Sequence, residues 1–251
     1  MMVYMCQVPV ASIRATASHR SEQISQMLFG EACEKLEVSG DFTKVKMTNE
    51  GYEGWCQTNQ LIETEEPINN ANMANKWVNT ILVNNQIMKV PIGSSLAFFK
   101  NGSLKLAKQH FEYHGKSINT LENPFSKKAL HKLALSFENT PYQWGGRSVF
   151  GIDCSGFTQL IYKFFNVRLL RDAYQQATQG EEITLSKAMA GDLAFFENEQ
   201  DKITHVGIIL EADIIIHASG KVRIDTINDN GIISSDTGQL THQLKEVRRL
   251  I

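Results

Sequence analysis

Several things are scarce in this 251-residue chain, and each scarcity removes a class of protein. Lys and Arg nearly balance Asp and Glu, for a formal net charge of -2. Nucleic acid and anionic membrane are therefore not expected as main partners. No run approaches the ~20 apolar residues that a membrane span needs. Met1 to Val10 lacks the basic start and long apolar run of a secretory signal, so a cytoplasmic location is expected. Only four cysteines occur, at 6, 33, 56 and 154, with no CxxC pair to suggest structural zinc. Hydrophobic residues make up 42% of the chain, enough for one large domain or two to three small ones.

The first stretch, to about Ile62, reads as short strands separated by turns. Val8 to Ala11 begins it, Lys35 to Val38 precedes a Ser39-Gly40-Asp41 turn, and Phe42 to Met47 alternates with period two. Asn49-Glu50-Gly51 then leads into Tyr52-Glu53-Gly54-Trp55-Cys56. This order of elements resembles a bacterial SH3-like barrel, assigned to residues 1–63. Cys6, Cys33 and Cys56 fit small buried thiols within it. A linker is expected over Glu63 to Asn75. A second β-rich segment, assigned to 76–120 as a divergent SH3-like barrel, takes Ile81 to Val83, Ile87 to Val90 and Leu96 to Phe99 as strands.

From Asn123-Pro124 the pattern changes. Ser126 to Phe137 sets Leu130, Leu133, Ala134 and Phe137 on one helical face, and Phe157 to Phe165 gives a second helix. Strands follow at Asp192 to Phe196, Thr204 to Leu210, Asp213 to His217 and Val222 to Ile227. Helices followed by antiparallel strands make residues 121–251 an α+β domain.

Chemistry concentrates in Tyr142-Gln143-Trp144-Gly145-Gly146 and Asp153-Cys154-Ser155-Gly156. The glycines permit a sharply turned loop, and Cys154 falls at a helix start, where unsatisfied amides and the dipole favour thiolate. A thiol nucleophile needs a base and a group to orient it. His205 and His217 lie on adjacent strands and can meet if both face the same way. Val206-Gly207 leaves room for the cysteine helix. Zinc bound by Cys154, His205 and His217 is the competing reading, but it leaves the Asp-Cys-Ser-Gly context unexplained. Asp153 also fits a helix cap. Arg171 fits a partner of a surface carboxylate, Trp55 and Trp144 fit packing roles, Trp144 alternatively the floor of a cleft, and His19, His110, His114, His131 and His242 fit surface positions.

With Gly191-Asp192-Leu193, His205-Val206-Gly207 and Ile216-His217-Ala218 added, the chain from Leu121 resembles the NlpC-type papain-like cysteine peptidases of bacterial cell-wall metabolism. The resemblance implies a papain-like α+β core with Cys154, His205 and His217 as triad and Tyr142 beside the nucleophile. With SH3-like domains upstream, it further implies hydrolysis of the γ-D-glutamyl–diamino acid bond in murein peptides that carry a free N-terminal L-alanine. Asp153 would bind that amine, Ser155 and Asp172 would hydrogen-bond the peptide, and Tyr52 and Glu22 would supply an opposing wall. No cofactor or metal is implied, and a monomer is expected. Against this stands a wall-peptide-binding protein with a degenerate hydrolase core. Acyltransferases and lipid-directed hydrolases share the same core.

Overall fold

A computed structural model describes residues 3–65, 67 and 71–251. It divides into two units, one of residues up to 123 together with 144–150, the other of 124–143 and 151–251.

In the first unit, β1 (Val3–Cys6), β2 (Val10–Arg14), β3 (Gln23–Leu28), β4 (Ala32–Ser39), β5 (Phe42–Met47), β6 (Glu53–Gln57) and β7 (Leu61–Thr64) form one sheet in the order β3-β2-β6-β5-β4-β1-β7. The alternation in β5 buries Thr43, Val45 and Met47, and Phe42 at its start is buried as well. Cys6, Cys33 and Cys56 lie in the same core cluster as Ala11, Ile13 and Val45, and all three thiols are free.

The expected linker is shorter than its composition suggests. Its first residues complete β7, and β8 (Asn72–Ala74) takes its last ones; residues 66 and 68–70 of the prediction lie outside the described residues. Next come β9 (Val78–Val83), β10 (Gln86–Pro91), β11 (Ser103–Leu106), β12 (Gln109–Tyr113) and β13 (Ser117–Asn119), of which four pair antiparallel in the order β10-β9-β12-β11. Leu96 to Phe99, expected as a strand, is a buried turn instead. Phe99 N–H donates to the Leu96 carbonyl at 3.0 Å, while Leu96, Ala97 and Phe98 fill the core. An apolar run of four suits a buried turn as well as a strand when turn bonds satisfy its backbone. The unit also takes β14 (Arg147–Ser148) from later in the chain.

The second unit contains α1 (Lys127–Leu135), β15 (Gly151–Ile152), α2 (Cys154–Lys163), α3 (Ala173–Gln176) and the strands β16 (Glu181–Ile183), β17 (Leu193–Glu197), β18 (Ile203–Glu211), β19 (Ile214–Ser219), β20 (Lys221–Asn228), β21 (Gly231–Ile233) and β22 (Leu240–Arg249). The last two strands were absent from the sequence reading and complete the sheet. β22 pairs with β17 through Gln243–Arg248 and with β21 through Leu240–Gln243. β17 to β22 therefore close into a six-stranded antiparallel barrel, which leaves no free edge within the ring. Ala194, Phe196, Ile209, Ile215, Ile227, Ile232 and Val247, contributed by all six strands, form its apolar cluster. α2 packs on β18 and β19 and is buried all round from Cys154 to Tyr162.

Candidate active site

Asp153 is the N-cap of α2, its Oδ1 accepting from Gly156 N–H at 2.6 Å, so Cys154 is the first helical residue. Asp153 does more than cap. Arg171, 1% exposed, donates from Nη2 to Asp153 Oδ2 at 2.6 Å and from Nη1 to Asp153 Oδ1 at 3.2 Å and Ser155 Oγ at 2.8 Å. Its partner is thus a buried carboxylate beside Cys154, not the surface one expected. Gln176 extends the support, donating to the Ser155 carbonyl and accepting from Thr158 Oγ1. Asp172 caps α3, and its N–H donates to Gln175 Oε1 at 3.0 Å.

Tyr142 is half-buried, and burial, followed by the nearby Cys154 and Asp153, pushes its phenol up to about 12. The structure therefore brings Tyr142, Asp153, Cys154 and Ser155 together. Tyr52 and Glu22 lie in the other unit. Tyr52 packs on the apolar core of its sheet. The exposed Glu22 accepts from the Trp144 indole N–H at 2.6 Å. Trp144 is 61% exposed and does not pack into a core. Gly145 follows it with φ +72°, where a Cβ would stand 2.5 Å from the Gln23 carbonyl oxygen. Only glycine allows that approach.

Three polar side chains run diagonally across neighbouring strands. Gly207 pairs with His217 and Ile215 with Asp225, so His205, His217 and Asp225 share one face, each offset by two residues from the next. His205 Nε2 lies 2.8 Å from His217 Nδ1, and His217 Nε2 lies 2.9 Å from Asp225 Oδ2. Gly207 makes room for this chain: a Cβ there would meet Ile215 and, at 3.0 Å, the His217 Cβ. The His205 and His217 nitrogens that face each other are engaged, which takes them out of any ligand set. Among the described residues no group of three His, Cys, Asp or Glu is arranged to hold a metal ion.

Two members of this cluster escaped the sequence reading. Asp225 lies in an alternating stretch that reads as solvent-facing, yet it is 3% exposed. His242, expected at the surface, is half-buried and stacks on His205 with ring centroids 4.2 Å apart.

The electrostatics run against a resting thiolate. Burial, then Asp153, pushes the Cys154 thiol up to about 12, outweighing the Val206 and Ser155 amides and Arg171, which pull it down. Burial, with His217 and His242 adding to it, holds His205 well below the usual imidazole range. Both shifts favour the neutral forms, thiol and imidazole. The helix start lowers the cost of the thiolate without making it the ground state. The Val206 amide that reaches Cys154 belongs to the residue following His205, which sets the thiol against the strand carrying the imidazole.

Comparison with known proteins matches two parts of the chain. Residues 139–241 match the NlpC/P60 family, and residues 13–61 match the bacterial dipeptidyl-peptidase Sh3 domain. A γ-D-glutamyl-L-lysine dipeptidyl-peptidase of Bacillus cereus is 26% identical over 245 residues, covering 85% of this chain and 73% of the relative. Dipeptidyl-peptidase 6 of Lysinibacillus sphaericus is 26% identical over 252 residues, covering 88% and 90%. Among solved structures, an NlpC/P60 family protein from Bacillus cereus superimposes with a TM-score of 0.82 at 20% identity, covering 98% of this chain and 99% of that one. At that identity the likeness speaks for the fold.

Proposed function

We propose, from a chain in which an NlpC/P60-family peptidase domain follows a bacterial SH3 domain, a cysteine peptidase that cuts the γ-D-glutamyl–diamino acid bond of murein peptides with a free N-terminal L-alanine. The catalytic domain is read as a papain-like core, and the four-stranded sheet of β9 to β12 as part of a second, divergent SH3-like barrel. The observation that carries the mechanism is a thiol on the first residue of a buried helix, touching the backbone amide next to His205.

Cys154 Sγ attacks the γ-carbonyl carbon of the glutamyl residue while His205 takes the thiol proton. The tetrahedral intermediate collapses to a thioester, and the departing amine leaves with the proton that His205 returns. Water, deprotonated by the same imidazole, then hydrolyses the thioester and releases the acid. His217 holds His205 in place. Because thiol and imidazole both start neutral, transfer accompanies attack and does not precede it.

Substrate choice follows from charge and from the relatives' names. The relatives described above are called dipeptidyl-peptidases, one of them for γ-D-glutamyl-L-lysine. Asp153 Oδ2 accepts from Arg171 and keeps a second acceptor position. That position suits a peptide ammonium, and Ser155, Asp172 and Tyr142 are proposed to contact the rest of the peptide. The test is intact-protein mass spectrometry during turnover of L-Ala-γ-D-Glu-L-Lys. A thioester adduct carrying the L-Ala-γ-D-Glu acyl group is expected on wild-type protein and none on Cys154→Ala. Turnover by Cys154→Ala above a tenth of wild type would end the reading.

A further inference from the structure

We propose that Asp225 is a positioning residue for this hydrolysis, fixing the tautomers of His217 and His205 so that His205 Nδ1 is the bare nitrogen facing the reaction. The inference rests on the reading of Cys154 and His205 as nucleophile and base, and its evidence is a chain of donors and acceptors.

Asp225 has a surplus of donors. Arg223 donates from Nε to Oδ2 at 2.7 Å and from Nη2 to Oδ1 at 2.8 Å. Ser235 donates from its backbone N–H at 2.7 Å and from its hydroxyl at 2.8 Å, both to Oδ1. Burial alone would raise this carboxyl, but hydrogen bonds from His217, Arg223 and Ser235 hold it well below the usual carboxylate range. An ionised carboxylate only accepts. His217 Nε2, at 2.9 Å from Oδ2, therefore carries the proton of that contact.

The rest follows from counting protons. In the proposed arrangement each ring carries one proton, so His217 Nδ1 is bare and accepts. The donor at 2.8 Å is His205 Nε2. His205 is held neutral, so its single proton is spent on this bond and Nδ1 is left as a lone pair. Asp225 thus dictates, two residues away through hydrogen bonds, which nitrogen can take the cysteine proton.

An amide at 225 reverses the chain. Three donors crowd the Oδ1 position, so the carbonyl oxygen of Asp225→Asn takes that side and its NH2 turns toward His217 Nε2. His217 must then accept at Nε2 and carry its proton on Nδ1, where it meets His205 Nε2. His205 accepts there and is protonated on Nδ1, the wrong nitrogen for a base. General-base assistance is worth about 10²- to 10⁴-fold, so kcat should fall about 100-fold or more with little change in KM.

Nitrogen-15 NMR of the imidazoles in the wild-type protein at neutral pH reads the tautomers directly. The expected result is a proton on Nε2 of both His205 and His217, reversed to Nδ1 in Asp225→Asn alongside the loss of kcat. A wild-type proton on His205 Nδ1, or an Asp225→Asn enzyme that turns over within about threefold of wild type, would overturn the proposal. The wild-type spectrum decides the matter even if the variant does not fold. Failure of the hydrolase reading would look different: no turnover by wild type, with the tautomers as described.

Discussion

His242 stacks on His205 with planes 26° apart, and Phe196 packs near both rings. The stack fixes the plane of the imidazole whose Nε2 is tied to His217. Aromatic pairs of this kind contribute about 0.5–1.5 kcal/mol. His242→Ala should lower kcat by roughly 2- to 12-fold, whereas His242→Phe, which keeps a ring, should stay near wild type. Steady-state kinetics of the two variants provides the check; equal losses would mean that the ring's flat face is irrelevant.

The same cluster makes stability depend on pH. Burial, then the nearby His217, lowers His242 from 6.5 to about 4, with Asp225 opposing and Arg223 adding to the shift. His205 is lowered as well. The unfolded chain takes up these protons as pH drops through the ordinary imidazole range, and the folded chain does so only below it. Stability should therefore fall as pH goes from about 6.5 toward 4. Melting temperatures across that window should decline less steeply for His242→Phe than for wild type. Identical slopes would remove His242 from the linkage.

The buried pair of Arg171 and Asp153 invites a double-mutant cycle. Arg171→Met leaves Asp153 without its main partner and should cost about 3–5 kcal/mol in denaturant unfolding. Replacing both, as Arg171→Met with Asp153→Asn, should restore part of that loss. An Arg171→Met protein as stable as wild type would show that the carboxylate finds other partners.

The resting thiol gives a spectroscopic expectation. With burial raising Cys154 to about 12, the ultraviolet thiolate band of wild type should match that of Cys154→Ala throughout the neutral range. A difference titrating near neutrality would mean that a thiolate–imidazolium pair already exists in the free enzyme.

The sequence made some of this site legible and hid the rest, for identifiable reasons. The Asp153-Cys154-Ser155-Gly156 turn announces itself because a cap, a cysteine and a helix start coincide in four residues. His205 and His217 are visible as histidines within apolar strands. Asp225 was not, because Arg223-Ile224-Asp225 alternates like a solvated strand and its burial comes only from the diagonal register. A diagonal offset on the third strand is the signal that points to it. β22 was missed because LTHQLKEVRR is polar along its length, and with it went both the closure of the barrel and His242. The Arg171–Asp153 pair spans 18 positions with no pattern linking them. Local chemistry survives in a sequence, and long-range pairing of charges does not.

The central claim is a bond and the residue that breaks it, so the decisive measurement is the product of a defined peptide. Wild-type protein incubated with L-Ala-γ-D-Glu-L-Lys should yield L-Ala-γ-D-Glu and free lysine by mass spectrometry, and Cys154→Ala should yield neither. Acetylating the alanine removes the ammonium that Asp153 is proposed to accept; losing a hydrogen bond to a charged group costs roughly 1.5–3 kcal/mol, about 10- to 150-fold in kcat/KM. The account predicts cleavage at the γ-glutamyl bond, dependent on Cys154 and on a free amine. Cleavage at another bond, or equal rates on the free and acetylated peptides, would contradict it.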